Sequence, residues 1–251
     1  MSVLNSAALD SRRLAKTRPI LCYVTNRLGW PALGEAARNE RLLERMEALS
    51  SAGVHWIQLR EKDLSARACA DLTRAVLRRL APSSAAGKAA PRVLVNDRLD
   101  VALSERAGGV HLGEQSLPLA EARRLLLANS NASPISHDFL VGGSCHSLDA
   151  AKTAAADQAD YIFFGPVFTT PAKAGYGPPQ GLERLREICR SVSIPVLAIG
   201  GITLENAGSC FSVGASGIAA IRLFQDAPDP ANVIRSLLAL EGRFNGGTPR
   251  R

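Results

Sequence analysis

Long apolar runs are missing from this sequence: the longest, around residues 194–199, falls far short of the roughly 20 residues that a membrane-spanning helix needs. That argues against a helical membrane protein. The first 18 residues place Arg and Lys after a weakly apolar start and lack the unbroken apolar core of a secretory signal, so a soluble, cytoplasmic protein is expected. Paired cysteines are missing as well. The five present, Cys22, Cys69, Cys145, Cys189 and Cys210, are odd in number and never spaced CxxC. They indicate neither a disulfide framework nor a zinc site, and read as reduced, mostly buried thiols. Aromatic residues make up only 5%, and the basic residues are dispersed over helical segments, so the formal charge of +7 does not indicate nucleic acid. A solvated surface accounts for most of that charge; anionic small substrates need only a few cations in one place.

What is present is a core and a rhythm. An apolar content of 46% in 251 residues is ample for a sizeable interior. Strands are predicted at 19–25, 54–59, 92–96, 108–112, 139–144, 160–165, 194–201 and 216–221. Helices are predicted between and after them, at 42–53, 65–80, 99–106, 118–128, 148–156, 181–191, 204–213 and 230–240. Gly53 reads as the stop of the first, Ser65 as the cap of the second, and Pro118 as a first-turn proline. Strict alternation of buried strands and helices implies a parallel sheet, and eight such units in about 230 residues fit a single (β/α)8 TIM barrel of the α/β class. An open doubly wound sheet is the alternative. It would be favoured by a glycine-rich dinucleotide turn after the first strand, and YVTNRLGW there holds no GxGxxG. The barrel is assigned to 19–241, with 1–18 and 242–251 as loose ends and the Ala/Ser/Pro-rich 81–91 as a surface loop.

In such a barrel, chemistry gathers where strands end and the loops to the helices begin. Gln58, Arg60, Glu61 and Lys62 follow the second strand, Asn96, Asp97 and Arg98 the third, and His111, Glu114, Gln115 and Ser116 the fourth. Ser144, Cys145 and His146 follow the fifth, Thr169, Thr170 and Lys173 the sixth, Gly200, Gly201 and Thr203 the seventh, and Arg222 the eighth. Arg60, Lys62, Lys173 and Arg222 would then share one mouth. Cations crowded there repel one another unless an anion sits among them. Guanidinium forks and a mobile ammonium suit phosphate oxygens, Gly200 and Gly201 let backbone N–H groups come close, and the helix start at Thr203 adds its dipole. The stretch FFGPVFTTPAKAGYG (163–177) fits the edge of that site, a buried strand opening into small residues that leave room for Lys173. Singly these signals are weak. A lone Lys or Arg is more often surface charge, Asp97 suits a helix cap or a metal ligand, His111 reads as structural, and His146 suits a cap or proton transfer.

Six segments, QLREK (58–62), VNDRLDVAL (95–103), GVHLG (109–113), GSCHS (143–147), GPVFTTPAK (165–173) and IPVLAIGGIT (194–203), resemble thiamine phosphate synthase and its relative, the TenI-type thiazole tautomerase. The resemblance runs in order from about residue 19 to about residue 240. It implies a transferase that joins hydroxymethylpyrimidine diphosphate to a thiazole phosphate and releases pyrophosphate, with phosphorylated small molecules as its partners and no nucleic acid or membrane. A homo-oligomer is left open. By the same resemblance Gln58 touches the pyrimidine; Arg60, Lys62, Asn96, Ser144 and Lys173 hold diphosphate; Thr170 and Gly201 bind the thiazole phosphate; and Asp97 ligates Mg²⁺. Ile221 and Arg222 are assigned to the substrate pocket, and Lys173, Ser144, Arg60 and His146 carry the catalytic assignment. His146 falls where the tautomerase has a histidine. That keeps thiazole tautomerase as the alternative, beside a non-catalytic regulator that binds thiamine intermediates. Three departures bear on these expectations. Ser116 stands where the synthases place a second magnesium carboxylate, with Glu114 two residues away. Ala172 replaces a threonine of the phosphate loop. Arg222 replaces a usual serine, where it would either restore a phosphate contact or block the pocket.

Overall fold

Residues 19–81, 89–129, 138–170 and 178–244 are described by a computed structural model. The strands are β1 (Ile20–Val24), β2 (Trp56–Leu59), β3 (Arg92–Asn96), β4 (Gly109–Leu112), β5 (Leu140–Cys145), β6 (Tyr161–Phe164), β7 (Val196–Ile199) and β8 (Gly217–Ala220). All are parallel and pair in chain order, and β8 returns to β1 to close the cylinder. Between and after them come α1 (Glu35–Ala52), α2 (Ala66–Arg79), α3 (Leu99–Ser104), α4 (Leu119–Asn129), α5 (Leu148–Ala156), α6 (Gly181–Ser191), α7 (Leu204–Ser212), α8 (Arg222–Gln225) and α9 (Pro230–Phe244). The expected (β/α)8 barrel is therefore the observed fold. Among the described residues no helix is long and apolar enough to cross a membrane, and all five cysteines are free.

Strand residues point alternately to the two faces of a sheet, so parity decides which of them face the barrel axis. Ile20, Cys22, Val24, Trp56, Leu94, Leu140, Tyr161, Phe163, Leu197 and Ala219 pack together as the filled interior. Leu21, Tyr23, Ile57, Leu59, Val93, Ile162, Phe164, Val196 and Ile218 belong to the larger cluster between barrel and helices. Counting on in steps of two from the interior set brings Gln58, Asn96, Ser144 and Ile221 to the inner face at or beyond the strand ends. His111 joins them, since it lies in register with Asn96 and Gly142. One glycine makes this interior feasible. A Cβ on Gly142 would lie 2.1 Å from Tyr161 Cζ, so the large ring of Tyr161 fills the space a side chain there would need.

Several boundaries differ from the sequence reading for local reasons. Helix α1 begins at Glu35 rather than 42. Its first two turns are mostly charged and exposed, and only Leu42, Met46 and Leu49 supply the buried face that periodicity detects. Strand β7 stops at Ile199, because Gly200 and Gly201 adopt left-handed φ values of 94° and 66° and turn the chain. Helix α4 starts one residue after Pro118, whose carbonyl accepts from Ala122 N–H. Beyond the eight expected helices the described residues hold α8 and a 3₁₀ turn at Arg27–Gly29. Other signals fall where expected: Gly53 ends α1 in the left-handed region, and Ser65 caps α2 by accepting from Ala68 N–H at 3.3 Å. The predicted loose ends, 1–18 and the last residues of 242–251, lie outside the described residues, as does most of the 81–91 loop.

Candidate active site

The β2, β3 and β4 ends are tied into one polar chain. Gln58, 2% exposed, donates its amide N–H to Asn96 Oδ1 at 2.7 Å. Asn96 donates in turn to Asp97 Oδ2 at 2.7 Å, while the other carboxylate oxygen of Asp97 accepts Gly113 N–H at 2.9 Å and the Ser116 hydroxyl. Asp97 sits at φ 60°, a left-handed conformation that aspartate tolerates better than most residues. Burial alone would raise its pKa, but the hydrogen bonds from Ser116 and Gly113, the Lys62 charge and the Asn96 amide together hold the carboxyl below its ordinary value. It is an anion at neutral pH. The capping alternative is corrected here: α3 has Arg98 at its N-cap with no side-chain cap bond, and Asp97 reaches across to the β4 loop instead.

Arg60 and Lys62 line a cavity of about 360 Å³ together with Asn26, Leu28, Glu61 and Asp63. Arg60 is half-buried, and its charge is felt by His111 inside the barrel; Lys62 is exposed, and its charge is felt by Asp97. Glu61 lines the same cavity but is tied to the β1 loop. It accepts the Thr25 hydroxyl and, at 2.9 Å, the Arg27 backbone N–H, and burial raises its pKa in spite of both bonds. Thr25 also accepts Arg60 N–H at 2.9 Å, so the β1 loop fixes the backbone that carries Arg60.

Next round the barrel, at the β4 and β5 ends, Ser144 is half-buried and His111 is 1% exposed. His111 Nε2 is 2.9 Å from Ser144 Oγ and Nδ1 is 3.1 Å from Tyr161 Oη, with the Phe163 ring centroid at 4.2 Å. Burial pushes its pKa down to about 3, the Asp97 charge opposing and the Arg60 charge adding to that shift, so the imidazole is neutral at physiological pH. His111 is thus part of the packed interior, hydrogen-bonded at both ring nitrogens. Sequence reasoning gave Tyr161 no role because Tyr161 begins a strand rather than ending one; inward parity with Phe163 was the available signal.

His146 is not brought to the cavity of Arg60 and Lys62. Its ring Nδ1 contacts the Gly165 carbonyl, its backbone N–H donates to Glu114 at 3.0 Å, and it lines a separate cavity of about 120 Å³ with Phe164, Arg184 and Ile188. Glu114 is thereby drawn toward β5 rather than toward Asp97. Thr170 is half-buried at the edge of the described residues, and Lys173 and Ala172 lie outside them. Gly201 packs so tightly that a Cβ would lie 2.6 Å from Thr169 O, which joins the β6 and β7 loops. Ile221 is half-buried beside the interior cluster, and Arg222 is exposed at the start of α8. Among the described residues no group of three His, Cys, Asp or Glu is arranged to hold a metal. The carboxylate at the β3 end is Asp97, ionised and already accepting from Asn96, Gly113 and Ser116. That fits a hard cation of the Mg²⁺ type, which is commonly held by one or two carboxylates together with substrate phosphates and waters.

The profile of the thiamine monophosphate synthase family matches residues 32–224, which span the chain from just before α1 into α8. The chain belongs to the thiamine monophosphate synthase family. A thiamine-phosphate synthase of Roseiflexus castenholzii is 39% identical over 220 residues, covering 88% of this chain and 87% of that protein. Another, of Anaeromyxobacter dehalogenans, is 41% identical over 205 residues, covering 80% and 85%. Among solved structures, the thiamine phosphate pyrophosphorylase of Pyrococcus furiosus superposes with a TM-score of 0.70 at 29% identity, over 95% of this chain and 100% of that one. Every strand-end residue described above from Gln58 to Arg222 falls within the matched span of the family. Thr25, which positions Arg60, precedes it.

Proposed function

We propose that the chain is a thiamine-phosphate synthase, a transferase that joins hydroxymethylpyrimidine diphosphate to thiazole phosphate and releases pyrophosphate. The observation that carries this reading is the union of family membership with a polar strand-end cluster, in which the Lys62 charge is felt by Asp97 of the Gln58–Asn96–Asp97 chain and the Arg60 charge by His111. Loss of diphosphate from the pyrimidine methylene builds negative charge on the leaving group, and donors fixed in place before the reaction stabilise it best. Arg60, Lys62, Asn96 and Ser144, with Lys173, are the donors assigned to that anion. Gln58 gives one of its two amide N–H groups to Asn96, which orients the amide, and its Oε1 is assigned to accept from an amino group of the pyrimidine. Thr170, Gly201 and Ile221 border the place of the thiazole phosphate, with Arg222 beside them. Mg²⁺, held by Asp97 and the diphosphate oxygens, would supply charge neutralisation for the departing pyrophosphate.

The tautomerase alternative needs a proton-shuttling histidine beside the thiazole. The Gly165 contact of His146, and its cavity apart from Arg60 and Lys62, give that reading less support. Purified protein given both synthase substrates and Mg²⁺ is expected to form thiamine phosphate and pyrophosphate in equal amounts. No product over a wide range of metal concentrations overturns the proposal. Lys173→Ala should lower turnover at least about a hundredfold, the scale set by loss of one preorganised donor to a developing anion, and wild-type kinetics would remove Lys173 from the site.

A further inference from the structure

We infer that Tyr161 and His111 are positioning residues that fix the Ser144 hydroxyl as a hydrogen-bond donor toward the barrel mouth. The inference rests on the reading of Ser144 as a ligand of the substrate's diphosphate. Its basis is a count of protons. A neutral imidazole has one N–H and one lone-pair nitrogen, and His111 places one ring nitrogen against each of two hydroxyls, Tyr161 and Ser144.

Two arrangements satisfy the ring. In the first, Nδ1–H donates to Tyr161 Oη and Ser144 donates to Nε2. The phenolic hydrogen of Tyr161 then needs another acceptor. Tyr161 is 0% exposed and packed against Trp56 and Phe163, and among the described residues its oxygen has no polar partner besides His111. In the second, Tyr161 donates to Nδ1 and Nε2–H donates to Ser144 Oγ. Every buried donor is then used, and the hydrogen of half-buried Ser144 is free to point into the mouth. Leaving a buried hydroxyl donor unmatched disfavours the first arrangement by at least about tenfold.

The second arrangement also suits a polyanion. A serine that donates inward would present lone pairs to diphosphate, whereas one that accepts from His111 offers it a hydrogen. His111 is 1% exposed, with one hydroxyl at each ring nitrogen and the Phe163 ring at 4.2 Å, so among the described residues no anion lies against the ring to hold a second proton. Gly142 belongs to the same device, since any side chain there would displace the Tyr161 ring.

Long-range ¹H–¹⁵N correlation on histidine-labelled wild-type protein near neutral pH reads the tautomer directly. His111 is expected as the Nε2–H form; an Nδ1–H form or a mixture overturns the inference. That readout needs no turnover, so it stands even if no thiamine phosphate is made, the result that would defeat the functional reading. In an active enzyme, the paired change His111→Leu with Tyr161→Phe removes ring and hydroxyl together. It should lower kcat about tenfold with little change in KM when Ser144 is present, and less than about twofold in a Ser144→Ala background. Equal losses in both backgrounds would mean that the pair merely fills space, and would sink the inference. Should the paired variant fail to fold, the wild-type tautomer still decides.

Discussion

His111 keeps an uncharged imidazole where an ordinary histidine would titrate. Burial depresses its pKa from 6.5 to about 3, so below 6.5 the unfolded chain binds a proton that the folded chain refuses. Stability is therefore complete above the unfolded value and declines as pH falls toward 3. Between about pH 7 and about pH 5 the loss from this residue should be about 2 kcal/mol. Urea unfolding of wild type and His111→Gln at both pH values measures it. The variant should decline less by that amount, and parallel declines would refute the assignment. The same buried ring system makes Gly142→Ala costly, by at least about 2 kcal/mol, since the new methyl must displace the Tyr161 ring; a thermal midpoint equal to wild type would contradict it. At this scale the legible residues were those whose chemistry is visible at a strand end, such as Arg60, Asn96 and Ser144. Glu61 sits between two site cations in the sequence yet turns back to hold the β1 loop, a direction that burial and the Thr25 hydroxyl decide and that spacing alone does not show.

Elements position the site through their ends. Thr25, just past β1, donates to Glu61 and accepts from the backbone N–H of Arg60, so a single hydroxyl couples the β1 and β2 loops. Thr25→Val keeps the shape but leaves Arg60 N–H and a Glu61 oxygen without their partner. The expected cost is about 2 kcal/mol of stability, with a several-fold rise in KM for the diphosphate substrate as Arg60 loses its fixed backbone. Urea unfolding and steady-state kinetics check the two parts, and an unchanged KM would show that Arg60 is held by something else. Strands and helices were legible where apolar periodicity and caps agree, as at Ser65 and Gly53. They were less so where packing gives no periodic signal, as in the charged opening turns of α1 and in the single turn of α8, whose Gln225 is buried in bonds to Tyr23 and Asn26.

For the whole molecule, alternation of strand and helix was enough to imply closure, because eight parallel strands without a dinucleotide turn have few other ways to bury both faces. The same topology makes charge placement the global variable. Arg60 and Lys62 stand on one cavity at the carboxyl ends of the strands, and the chain as a whole carries a formal charge of +7. A diphosphate approaching that rim is drawn by a field that salt screens over about 8–10 Å. For the proposed synthase, kcat/KM for the diphosphate substrate should fall at least about threefold between about 20 mM and about 300 mM NaCl, while kcat moves far less. Lys62→Ala should flatten that dependence, because Lys62 is exposed and acts over distance, whereas Thr25→Val should leave the slope as it is while raising KM throughout. Steady-state kinetics across an ionic-strength series at fixed free Mg²⁺ separates the two effects. A kcat/KM indifferent to salt would mean that the rim does not steer its substrate and that the two cations act only on contact.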